Sequence, residues 1–196
     1  MTIGFNHLGR HGRLGNQMFQ YAGLRGIAAH KGYDFAIPPS DFNDEWNDHQ
    51  LFEAFKLIGL TDIKEIPGPY VQEAHFHFDQ NLFDNMPDGH NVYAYLQSTK
   101  YFEHIEEEIR EDFEFKNDIN LPCKEMMSTL DKPIALHVRR GDYIQNSDNH
   151  PPCPKEYYDT ALSKFDNNRT VVVFSDDPKW CGTCLLYTSP SPRDRG

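Results

Sequence analysis

Ile134-Ala135-Leu136-His137-Val138-Arg139-Arg140-Gly141-Asp142-Tyr143 is the stretch that decides the fold class. Its first five residues are almost continuously apolar and partly β-branched, the character of a strand covered on both faces by helices. Polar and turn residues follow, then a helical pattern, so the segment reads as one βα step of a parallel sheet. Thr170-Val171-Val172-Val173-Phe174 repeats that character, and Thr2–Leu8 is a third, weaker run. The prediction is an α/β protein whose strands alternate with helices.

Leu14–His30 reads as a helix, because Leu14, Met18, Ala22 and then Leu24, Ile27 and Ala28 recur at helical spacing. Ser98–Phe113 reads as a second, with Phe102, Ile105, Ile109 and Phe113 on one face and Ser98 or Thr99 as its cap. Its acidic residues, Glu106, Glu107, Glu108, Glu111 and Asp112, read as a solvated face. Ile37–Asp62 is irregular. His75–Asp79 alternates and is expected to be a strand with Phe76 and Phe78 inward. His75 and His77 lack a third ligand at a metal-site spacing. Asn117–Lys132, with Pro122 and Pro133, is expected to be a linker or domain edge.

Composition narrows the function classes. The 196 residues include 19 Lys+Arg and 30 Asp+Glu, a formal charge of −11. That excludes a general nucleic-acid binder, which needs a basic face to displace counterions, and a polybasic membrane-surface protein. Hydrophobic residues at 38 % and aromatics at 13 % suffice for a real core. No run of about 18 apolar residues is present to span a bilayer. The opening Met1–His7 lacks the order of a signal peptide. Cys123, Cys153, Cys181 and Cys184 do not form a disulfide framework in a chain of this length. The expectation is a cytoplasmic protein, or one peripheral to a membrane. From Gly182 onward the sequence loses all period, and residues 182–196 read as a non-native tail.

Three constellations could carry chemistry. Gly12-Arg13-Leu14-Gly15-Asn16-Gln17 lies at a strand-to-helix turn, where glycines admit a ligand to the backbone and a helix N-terminus favours anions. It matches neither the dinucleotide fingerprint nor a P-loop, and a mere tight turn is the competing reading. Asn16 and Gln17 suit a sugar but could equally cap the helix. His137–Tyr143 places Arg139 and Arg140 at a strand's carboxyl end, where open α/β sheets bind ligands. Guanidinium forks match phosphate oxygens, and Asp142 could hold one arginine and leave the other for ligand. The competing reading is a structural ion-pair turn. Ser175-Asp176-Asp177-Pro178 ends the next strand, with Asp177 and Pro178 as N-cap and first-turn proline. Ser175 and Asp176 are read as partners of a nucleoside or ribose rather than ligands of Mg²⁺.

GRLGNQMFQYA (12–22), HVRRGDY (137–143) and VVVFSDDPKWC (171–181), in this order, resemble the alpha-1,2-fucosyltransferases of glycosyltransferase family 11. Tyr95–Phe102 and Tyr157-Tyr158 fit as well. The resemblance implies inverting transfer of L-fucose from GDP-fucose to the 2-hydroxyl of a galactosyl glycan. It implies a GT-B-like pair of Rossmann-like α/β/α domains, no catalytic metal and no cofactor beyond the donor. It maps His137, Arg139 and Arg140 onto the donor motif, with an arginine on the pyrophosphate. Ser175, Asp176 and Asp177 fall beside the nucleoside, and Gly12, Gly15, Asn16 and Gln17 join the donor set. His137 and Asp142 are candidate proton acceptors. The expected domains are an acceptor-side unit at 1–131 and the start of an incomplete donor domain at 132–181. Family members are longer, with a Ser- and Trp-rich third motif that nothing here matches, and many have two adjacent glycines where this chain has Gly12-Arg13. The chain as written is therefore expected to be an inactive fragment. The alternative is a non-catalytic nucleotide-sugar or glycan-binding module.

Overall fold

The computed structural model describes residues 1–40, 49–166 and 168–185. They divide into two compact units, one from Met1 to Asn120 and one from Leu121 onward. Each is built on parallel strands.

The first unit runs β1 (Thr2–Gly4), α1 (Leu14–Lys31), β2 (Asp34–Ile37), α2 (Leu51–Ala54), β3 (Asp62–Ile63), β4 (Tyr70–Gln72), α3 (Gln80–Asn85), β5 (Asn91–Tyr93) and α4 (Glu106–Asp112). The strand order is β3-β2-β1-β5-β4, all parallel, with Ile3 opposite Phe35 and Gly4 opposite Asn91. The chain therefore works outward from β1 in one direction and returns on its other side. That places a topological switch point between β1 and β5, the position at which open α/β sheets bind ligands. Ile3, Phe5, Leu24, Ile27, Phe35, Ile37, Val92, Leu96 and Tyr101 form one buried core.

Helix α1 matches the sequence expectation closely and ends on Gly32, whose φ of 65° lets it close the last turn by donating to Ala28 O and Ala29 O. A buried ion pair joins Arg25 of α1 to Asp112, the fully buried end of α4. Asp112 also accepts from Tyr21 Oη at 2.6 Å and from the Gly59 amide at 2.7 Å. The carboxylate is thus saturated, which a buried charge requires.

Two expectations fail for identifiable reasons. Ser98–Phe113 is not one helix: two 3-10 turns, Thr99–Tyr101 and Glu103–Ile105, precede the short α4. Tyr101 has its carbonyl pressed against Gly26 of α1, where an added Cβ would lie 1.9 Å from it. A continuous helix could not make that approach and also bury Ile109. Ser98 supplies no side-chain cap. His75–Asp79 is not a strand either. Asp79 accepts from the Ala74 and Leu82 amides, both at 3.0 Å, folding the segment into a turn that caps α3. Phe78 packs on the core, but Phe76 is 77 % exposed rather than inward. The segment expected to be a linker or domain edge, 117–132, does contain the boundary between the two units, after Asn120, and is largely α5 (Asn117–Ser128), a helix with Pro122 inside it and no buried residue.

The second unit continues with β6 (Ile134–Val138), α6 (Gly141–Gln145), α7 (Lys155–Leu162), β7 (Val171–Ser175) and α8 (Pro178–Cys184). β6 and β7 pair in parallel from Ile134↔Val171 to Val138↔Ser175. Leu136, Val138, Tyr158, Cys181 and Leu185 form its small core. Ala135 and His137, which alternate with them along β6, are exposed. No helix among the described residues is long and apolar enough to cross a membrane.

Candidate functional site

The carboxyl ends of β6 and β7 lie side by side, so the polar residues after each meet. Arg140 is the centre. Its amide donates to Asp176 Oδ1 at 2.8 Å, and its Nε lies 3.3 Å from Asp177 Oδ2. The guanidinium carbon stacks 4.1 Å from the Trp180 ring. Planar stacking on an aromatic face holds an arginine without consuming its donors. Neither terminal guanidinium nitrogen has a hydrogen-bond partner among the described residues.

Asp177 owes its position to α8. Its Oδ1 accepts from the Trp180 amide at 3.0 Å, with Pro178 in the first turn, as the sequence predicts. Ser175 Oγ accepts from the Asp177 amide at 2.9 Å, tightening the same turn. Asp176 is held below the usual carboxylate range, chiefly by the Arg140 amide. Gly141 follows where an added Cβ would lie 2.8 Å from Asp176 Oδ2. A side chain there would require the Asp176 carboxylate to shift.

Arg139 points to a different partner. It grips Asp142 at 2.9 and 3.2 Å and stacks 4.8 Å over the Tyr143 ring. Hydrogen bonding to Asp142 raises its pKa. Asp142 thus positions Arg139, while Arg140 is the arginine whose fork is left open. His137 stands apart from this cluster, exposed on the opposite face of β6 from Leu136 and Val138.

In the first unit, Gly12, Gly15, Asn16 and Gln17 follow β1 at the switch point. Gly12 has a φ of +84°, and a Cβ there would strike the Asn16 side chain, so glycine is required. Gly15 faces open space. Asn16 and Gln17 do not cap α1, whose N-cap is Arg13 without a side-chain bond. Gln17 is fully buried and works structurally, donating to Gly12 O and accepting from the Gln50 amide at 2.8 Å. Asn16 Oδ1 accepts from Gln97 Nε2 at 2.6 Å, tying this loop to the one after β5.

That second loop carries residues to which the sequence reading assigned no role. Leu96 adopts φ 53°, unusual for a leucine, and Glu73 holds the strained turn by accepting from the Tyr95 and Leu96 amides at 3.1 and 3.3 Å. Tyr101 Oη donates to the other Glu73 oxygen at 3.0 Å. Beside the turn, His7 and His11 meet the Tyr93 ring edge-on at 5.3 and 5.2 Å. Burial and Arg10 lower the His7 pKa, so its imidazole is neutral near pH 7. Their position directly after a β1 ending at Gly4, not Leu8, was the available signal. Trp180 was also passed over, although it lies one helical turn past the Asp177 cap. No group of three or more His, Cys, Asp or Glu among the described residues is placed to hold a metal.

Comparison with known proteins places this geometry. The chain is 26 % identical over 198 residues to an alpha-1,2-colitosyltransferase of Escherichia coli, covering 87 % of this chain and 68 % of that protein. It is 26 % identical over 188 residues to the galactoside 2-alpha-L-fucosyltransferase Sec1 of Mus musculus, covering 87 % of this chain but 49 % of that protein. The matches thus cover from 49 % to 68 % of the length of these relatives. Among solved structures it resembles fucosyltransferase NodZ from Bradyrhizobium, with a TM-score of 0.52 at 13 % identity over 91 % of this chain and 73 % of that one. That likeness concerns the fold. The sequence model of glycosyl transferase family 11 matches residues 2–189, and the chain belongs to that family.

Proposed function

We propose that the protein transfers L-fucose from GDP-fucose, with inversion, to the 2-hydroxyl of a galactosyl residue on a glycan. The observation that carries this reading is the open fork of Arg140 at the carboxyl end of a parallel strand pair. Two parallel N–H groups fit two pyrophosphate oxygens, and the guanidinium keeps its charge at any working pH. Departure of the GDP group concentrates charge on those oxygens, and a cation already held by Trp180 and Asp177 stabilises it without reorganising. No metal is required for that role. Ser175 and Asp176, beside the arginine, serve the nucleoside and ribose. Arg139 completes the donor set in this unit.

An inverting transfer also needs a proton acceptor for the attacking hydroxyl. Asp142 and His137 are the proposed candidates, and Asp142 already engages Arg139. In this reading the two units are the halves of a GT-B-like enzyme. The 196-residue chain, whose match covers 49 % of the length of the galactoside 2-alpha-L-fucosyltransferase, is expected to bind GDP but not to turn over, and fucose transfer by the purified chain would overturn that expectation. Likeness to a colitosyltransferase favours colitose as the second donor reading.

Calorimetric titration with GDP is the test. Arg140→Ala should weaken binding about 10- to 100-fold, the range for charge-assisted hydrogen bonds. Arg139→Ala should cost several-fold less. Equal GDP affinity in wild type and Arg140→Ala would remove the basis of the proposal.

A further inference from the structure

The Trp180 ring that carries Arg140 needs a support of its own. Its amide is fixed by Asp177 at the start of α8, but that bond sets the backbone and leaves the side-chain rotamer open. The indole is only partly buried, so the small core alone does not fix it. Among the described aromatic rings, Tyr158 packs on it edge-on, with centroids 6.2 Å apart at 63°. Tyr158 itself is 2 % exposed on α7, anchored beside Leu136 and Val138 of β6. The indole in turn lies 4.1 Å from the Arg140 guanidinium carbon. Tyr158, Trp180 and Arg140 thus form a stack of three side chains, drawn from α7, α8 and the turn after β6.

Folding does not ask for a tyrosine at this point. Its apolar neighbours need only volume, which a leucine would supply without burying a hydroxyl. What the ring adds is direction. An edge-to-face aromatic pair is worth more than the area it buries and sets the angle between its members, as an aliphatic neighbour does not. The hydroxyl also stays out of the chemistry. Burial first, then charge interaction and hydrogen bonding with Cys153, raise its pKa, against a lowering by Arg140. It is therefore neutral at working pH and adds no anion to compete with a phosphate for the guanidinium.

We propose that Tyr158 is a positioning residue for the anion site, fixing the Trp180 rotamer and, through it, the plane of the Arg140 guanidinium. The stack stands on its own geometry. Its consequence for GDP affinity rests on the reading of Arg140 as the donor-binding arginine.

Side-chain NMR on the full 196-residue chain reads the stack without any ligand. Arg140 protons over an indole face are shifted upfield by its ring current, and Trp180→Leu calibrates the unstacked position. Tyr158→Leu should move the Arg140 Hε and Hδ resonances toward the Trp180→Leu values, whereas Tyr158→Phe, which keeps the ring, should leave them as in wild type. Calorimetry with GDP should show affinity about three- to tenfold weaker in Tyr158→Leu, the scale of one aromatic pair, and retained in Tyr158→Phe. In a Trp180→Leu background Tyr158→Leu should cost no further affinity, although a merely structural loss would persist there. Because Tyr158 also belongs to the small core, wild-type Overhauser contacts supply a test that needs no variant. Contacts from the Tyr158 ring to the indole, and from the indole to Arg140 Hδ, should both appear. Absence of either contact, unmoved Arg140 resonances in Tyr158→Leu, or equal losses in the Phe and Leu variants overturns the proposal. A stack that responds to Tyr158 in a chain that does not bind GDP removes the donor reading and leaves the positioning role standing. GDP binding that depends on Arg140 but not on Tyr158 removes this inference alone.

Discussion

The two units are built from the same βα grammar and differ in how completely they bury it. Among the described residues, the core of the first comprises eighteen buried apolar residues around a five-stranded sheet. In the second, five such described residues support two strands. Along β6 the pattern alternates, with Ile134, Leu136 and Val138 buried and Ala135 and His137 exposed. On β7, Phe174 is 53 % exposed. Parallel sheets are normally covered on both faces, and the sequence of these two strands is written for such coverage. Sequence pattern therefore states what a strand is fitted to meet, and the structure leaves Ala135 and His137 of β6 and Phe174 of β7 exposed. Stability should follow burial, while the proposed donor chemistry sits on the less buried unit.

The comparison breaks most easily at Gly26. A valine there would drive its Cβ into the Tyr101 carbonyl, a backbone atom that cannot swing aside. The expected loss is roughly 3 kcal/mol or more, confined to the first unit. Peptide-resolved hydrogen exchange should show faster exchange in β1 and β2 with β6 and β7 unchanged. Equal acceleration of both would show that the units unfold together.

In the wild type the same measurement compares the units directly. Amides of β1 and β2 should exchange about a hundredfold more slowly than those of β6 and β7, an opening difference near 3 kcal/mol. Equal protection would mean that the smaller core is not the weaker one.

His49 sharpens the comparison through pH. It is buried against Phe52, with both imidazole nitrogens unpartnered among the described residues, and burial pushes its pKa from 6.5 down to about 4. Between those values the unfolded chain binds a proton that the folded chain refuses. The first unit's stability is thus fully present above about pH 6.5 and declines as pH falls toward 4, by roughly 2–3 kcal/mol. Urea midpoints across that range should reveal the slope, and His49→Gln should flatten it. A slope that survives the substitution would assign it elsewhere.

The smallest effect is expected at Asp142. Its pair with Arg139 is exposed, so Asp142→Asn should change the second unit's stability by no more than about 1 kcal/mol, read from the Trp180 fluorescence transition. A larger loss would make this ion pair a structural element of the turn.

How much was legible beforehand depended on whether local pattern or distant contact decides each segment. α1, β6, β7 and the Asp177 cap were readable because period, β-branching and capping chemistry act over a few residues. The break in Ser98–Phe113 was not, because it is imposed by Gly26, far away in sequence. Nor was the turn at His75–Asp79, where one carboxylate collecting two amides outweighs an alternating pattern. In the candidate site, the arginines and aspartates were identified from their types, and Asp142 as the holder of one arginine, but not which arginine it holds. Which arginine stays open is settled by the stacking of Trp180 under Arg140 and the reach of Asp142 to Arg139. Gln17 shows the converse: a polar residue suited to a sugar is instead spent inside the fold.

Asp177 has a consequence for how mutagenesis of this protein must be interpreted. One of its oxygens starts α8 and the other restrains Arg140, so a single carboxylate couples helix integrity to the orientation of the Arg140 guanidinium. Removing it deletes two interactions of different kinds, and the resulting loss cannot be apportioned from that variant alone. A double-mutant cycle between positions 177 and 140, measured once by GDP affinity and once by unfolding, should give a coupling energy in each. Unequal couplings would separate the residue's work as a helix start from its work as a restraint on the guanidinium.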